Sequence, residues 1–116
     1  MLAEKIHLEN IEKAVEVIDA VGANNSPMMA ARAIHVNLLI RKVSGSQAKF
    51  VKTVYNDIGA EVAISSDAYF EKEGCVTDML VMGTIYQHRE VKRILDGNPE
   101  IKPIIDAISL VVEKAV

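Results

Sequence analysis

Few residues in this chain are placed to do chemistry. Ser44-Gly45-Ser46 stands just before a helical pattern, with Arg41, Lys42 and Lys49 close by in sequence. A helix start offers free N–H groups and the positive end of the dipole, which together favour an anion. Arg41, Ser44, Gly45, Ser46 and Lys49 therefore form a candidate anion site. The same residues have a plainer role, with Ser46 capping the helix and Gly45 making a tight turn, because no complete phosphate motif is present. Cys75 has no neighbouring base to make it a thiolate and reads as a small apolar residue. His7, His35 and His88 lack the spacing of a metal site, so no metal or cofactor is expected. Asp67, Glu71 and Glu73 lie in a charged stretch that reads as a solvated loop. Met28 and Met29 read as core filler. No catalytic set of residues emerges, so the chain is not expected to be an enzyme.

The elements that must position these residues follow from periodicity. Glu4–Leu8 alternates and reads either as a short strand or as the start of one helix running from Glu4 to Val21. With Asn10 as cap, the apolar stripe Ile11, Ala14, Val15 and Ile18 predicts a helix stopping at Gly22. Met28–Ile34 is expected to be a strand with Pro27 at its start. His35-Val36-Asn37 is expected to be a hairpin turn, and Leu38–Val43 the returning strand. A helix from Ser46 to Ile58 follows. Gly59–Ser66 fits either a short strand or a helical turn. Val76–Met82 is a strand and Arg89–Leu95 a short helix. The stripe Ile101, Ile104, Ile105, Ile108 and Val112 marks a last helix. This order, β-α-β-β-α-β with C-terminal helices, predicts an α+β ferredoxin-like fold: an antiparallel sheet with helices mainly on one face. Residues 1–98 form its domain and residues 99–116 a helical extension.

Composition sets the outer bounds. The chain has 116 residues, half of them apolar, which suits one domain with an aliphatic core. A formal charge of −3 argues against a general nucleic-acid binder. One cysteine permits no internal disulfide, and the N-terminal segment lacks the apolar run of a signal peptide. No stretch approaches the roughly 20 apolar residues of a membrane span. A cytoplasmic location, away from membranes, is the expectation.

Three segments carry a family resemblance. Asp19-Ala20 lies near the end of the first helix; Ala31-Arg32 and Val43-Ser44-Gly45-Ser46 bracket the expected hairpin; Asp78–Met82 is followed by His88-Arg89-Glu90-Val91. In order and spacing these resemble the shell domain of bacterial microcompartments over roughly residues 6–95. Ser46 stands where the family usually has Asp, and the segment before His88 lacks the usual Pro-Arg-Pro. The resemblance implies a structural protein of the microcompartment shell that forms cyclic homohexamers. Its partners would be other shell proteins and encapsulated enzymes. It further implies that His35, Val36 and Asn37 line a central pore for small metabolites. Two other classes of function fit the residues: a regulatory protein holding an anionic metabolite at the strand-to-helix turn, and an enzyme completed at a subunit interface.

Overall fold

The computed structural model describes all residues, Met1–Val116. The first helix, α1 (Ile11–Val21), is set by its ends. The Asn10 side chain accepts a hydrogen bond from the Lys13 N–H at 2.8 Å, and Gly22 closes the helix at φ 90°. The segment ahead of it, residues 1–9, joins neither helix nor strand. Alternation at Glu4–Leu8 is real, but a strand exists only beside another, and no strand of the sheet lies there.

The next segment corrects the sequence reading. Ser26–Ala33 is a helix, α2, and not a strand over Met28–Ile34. Met28-Met29-Ala30-Ala31-Arg32-Ala33 are strong helix formers with no β-branched residue among them. Pro27 lies in the first turn, where its missing N–H costs nothing. With that strand gone there is no hairpin. His35-Val36-Asn37 is the beginning of β1 (His35–Ser44), which extends the expected Leu38–Val43 strand at both ends.

The rest of the chain runs α3 (Gly45–Asp57), β2 (Glu61–Ala63), a one-turn helix α4 (Ser66–Tyr69), β3 (Val76–Thr84), α5 (Ile85–Ile94) and α6 (Lys102–Lys114). The class is α+β, with a three-stranded antiparallel sheet in the order β1-β3-β2. The four strands of a β-α-β-β-α-β order are not present, because two of the expected strands are an irregular segment and a helix. β2 resolves the ambiguous Gly59–Ser66 stretch as strand. It is tied to α3 by Lys52, whose ammonium donates to Glu61 Oε1 at 2.5 Å and to the Val62 carbonyl at 2.8 Å. Helix α5 starts ahead of the expected Arg89, because Thr84 and Gln87 form a reciprocal capping box.

One face of the sheet is covered. Val36, Leu38, Val43, Val62, Met79 and Val81 point into the core, alternating with exposed residues along each strand. They join one apolar cluster with Val51, Tyr55, Ile85 and Val91. The stripe of α6 belongs to the same cluster, with Ile101, Ile104, Ile105, Ile108 and Val112 all buried. The opposite face of the sheet is open. Leu39, Leu80 and Val76 are exposed there.

Candidate functional site

Of the residues picked out by sequence, His35, Val36 and Asn37 occupy the most informative position. A strand alternates, so His35 and Asn37 stand on the open face while Val36 is buried. They do not form a projecting loop. β1 is also a sheet edge, with β3 on one side and no strand on the other. Which of its backbone groups face outward follows from one hydrogen bond. The Ile85 N–H donates to the Ile34 carbonyl at 3.0 Å, which makes 34 and 85 a hydrogen-bonded pair in the antiparallel register. Such pairs alternate, so Val36, Leu38 and Ile40 bond to β3. The N–H and C=O groups of His35, Asn37 and Leu39 therefore point away from the sheet. No other backbone or side-chain group in the chain bonds to them.

The inner side of the same segment is held by a histidine whose packing role the sequence does not reveal. His88, on α5, is 2 % exposed. Its Nε2 lies 2.9 Å from the Val36 carbonyl oxygen and its Nδ1 2.9 Å from the Tyr55 hydroxyl. A carbonyl can only accept, so Nε2 carries the proton and Nδ1 accepts from the Tyr55 O–H. One neutral tautomer thus satisfies both bonds. The Tyr55 and His88 rings meet edge to face at 5.6 Å. Burial holds the His88 imidazole below its usual pKa, outweighing the carbonyl oxygens of Val36 and Gly83 that favour its charge. Burial pushes the Tyr55 phenol well up. Both groups are neutral clamps joining α3, α5 and β1. His88 belongs to a stretch that the family resemblance had drawn on, but Tyr55 is far away in sequence and no local pattern pairs them.

Farther along β1 the edge changes character. Ile40 pairs with Met79 but Val43 pairs with Thr77, so one extra residue is accommodated at Arg41-Lys42. Lys42 sits at φ 58°, in the left-handed region. Asp78 fixes the bulge. Its Oδ1 accepts from the Lys42 N–H at 3.0 Å and its Oδ2 faces Arg41 Nη1 at 3.4 Å.

The expected anion residues do not converge. Arg41 is paired with Asp78, and Lys49 lies 3.6 Å from Glu71 and 5.1 Å from the Tyr69 ring centre. Ser44, not Ser46, occupies the cap position of α3 and makes no side-chain cap bond; its hydroxyl lies 3.1 Å from that of Ser46. The depression beside them is also lined by Glu71, Lys72 and Glu73, so its charged groups are negative on balance, which opposes an anion. Gly45 is needed for close packing. A Cβ there would fall 2.2 Å from the Cys75 sulfur, and its N–H donates to the Cys75 carbonyl at 2.9 Å. No three His, Cys, Asp or Glu side chains gather as metal ligands would. No helix is long and apolar enough to cross a membrane. No protein-family model, curated protein or solved structure matches the chain.

Proposed function

We propose that this chain is a non-catalytic structural domain that works by self-association. The observation that carries this reading is the state of the sheet. A sheet of only three strands leaves one long edge unpaired and one face open, with apolar Leu39, Leu80 and Val76 exposed on it. Unpaired edges and exposed apolar side chains are features that folded chains cover, and self-association is a way to cover them. The microcompartment-shell resemblance is a specific form of this reading, with a cyclic hexamer, other shell proteins and encapsulated enzymes as partners, and small metabolites passing a pore. In that form His35 and Asn37 contribute side chains to the assembly from a strand. Buried Val36 supports them from inside.

The regulatory alternative is less well supported, because Asp78 and Glu71 already engage the two cations it needs. Sedimentation of the full chain over a wide concentration range at neutral pH tests the proposal. The expected result is a defined oligomer. A chain that stays monomeric at its highest soluble concentration overturns it. Six-fold rings in electron micrographs would favour the shell form.

A further inference from the structure

We infer that two copies of this chain pair through the outer edge of β1, antiparallel about a two-fold axis at Asn37, to make one continuous six-stranded sheet. This inference rests on the self-association reading, names its surface, and is an alternative to the cyclic hexamer, whose interfaces contain no two-fold axis. His35, Asn37 and Leu39 present a row of N–H and C=O groups that nothing in the chain satisfies. An antiparallel strand must supply outward-facing groups at the same alternate positions. A second β1 does so. With the axis at Asn37, Asn37 opposes Asn37 and His35 opposes the partner's Leu39, so outward-facing residues meet outward-facing residues throughout. Buried Val36 then lies beside the partner's equally buried Leu38, and the covered face continues across the junction.

The charge pattern selects the same segment. His35-Val36-Asn37-Leu39 and the intervening Leu38 carry no formal charge at neutral pH, and Ile40 extends the run. Uncharged strand segments without Pro or Gly are the ones that natural edges guard when they must stay single. Here the guards begin only afterwards, at Arg41 and the Lys42 bulge. They end the pairable segment and oppose longer or shifted registers. A closed two-fold contact uses the same patch on both copies, so it leaves no further edge at β1 for a chain of copies to grow from. His88 and Tyr55 brace the segment from within and fix its orientation before it meets a partner.

The test uses the full chain with Asn37→Pro. The Asn37 N–H faces the free edge, so Pro removes no bond within the subunit and sits where an edge strand tolerates it. The variant should keep its melting temperature at dilution while losing the β1–β1 contact, halving the mass of a dimer or of any larger assembly built from it. Leu39→Lys, at an exposed position, should do the same by placing a charge in the uncharged run. A Cys75→Ser, Asn37→Cys chain should cross-link to a covalent dimer under mild oxidation, because directly opposed residues in a bonded pair lie about 5.5 Å apart. His35→Cys in the same background should not, since its counterpart is Leu39. An oligomeric wild type unaffected by Asn37→Pro and Leu39→Lys overturns the edge contact and leaves self-association standing. A monomeric wild type overturns both. Loss of the oligomer with Ile6→Asp but not with either β1 variant assigns the contact to the N-terminal segment and overturns the inference.

Discussion

The two halves of β1 differ in what holds them. From His35 to Ile40 the strand is braced on its inner side by His88 and Tyr55, and its outer side is bare. From Arg41 to Ser44 it is clamped by Asp78, bulged at Lys42 and closed against Cys75 through Gly45. The first half has its unsatisfied groups in one direction only. The second half has charge, bulge and helix junction to keep other strands off. A single strand can therefore offer an edge and limit it, with a bulge marking the boundary between the two roles.

The largest way to break this contrast is to remove the inner brace. His88→Ala should cost about 3 kcal/mol of stability, because it leaves a cavity and strands the Tyr55 hydroxyl. Urea unfolding measures this, and a loss much smaller than that would mean the brace contributes little. The next largest effect lies on the other half. Lys42→Val forces a β-branched residue into the left-handed region and should cost roughly 1–2 kcal/mol. Asp78→Ala should cost about 1 kcal/mol through loss of the Lys42 N–H bond. It should also blur the boundary, so that the variant associates beyond the wild-type oligomer in light scattering.

The smallest effect is expected from pH. The folded pKa of His88 is lowered, so the unfolded chain binds more protons just below the ordinary histidine value of about 6.5. The stability contributed by the neutral imidazole is fully present above that value. It is lost as pH falls from there toward the folded pKa. Urea midpoints at pH 7.5 and pH 5 should show the decline, and His88→Gln should reduce the difference between them.

Part of this architecture was legible in the sequence. Helix α1 announces itself through Asn10, its stripe and Gly22, and α6 through its isoleucines. β3 is a run of apolar and β-branched residues, and α3 begins close to where Ser44-Gly45-Ser46 implied. Other parts are ambiguous by local pattern. Pro27 fits both the first residue of a strand and the first turn of a helix, and the Met-Ala-Arg run after it favours helix. Val36, Leu38 and Ile40 already alternate with polar or exposed neighbours, so β1 could have been started at His35. Thr84 and Gln87 spell a capping box that would have started α5 early. The His88–Tyr55–Val36 clamp was not legible, since it depends on three elements meeting in space. The outward phase of His35, Asn37 and Leu39 needed the register, which no local pattern contains.

The contact between Gly45 and Cys75 has a consequence for how this molecule can be watched. The sulfur is half-buried and occupies the space a Cβ on Gly45 would need. A compact alkylating reagent is therefore expected to react faster than a bulky one, which needs the start of α3 to lift away from the chain before β3. The ratio of the two labelling rates is thus a clock for the opening of that junction, read from the chain's only thiol without altering a residue.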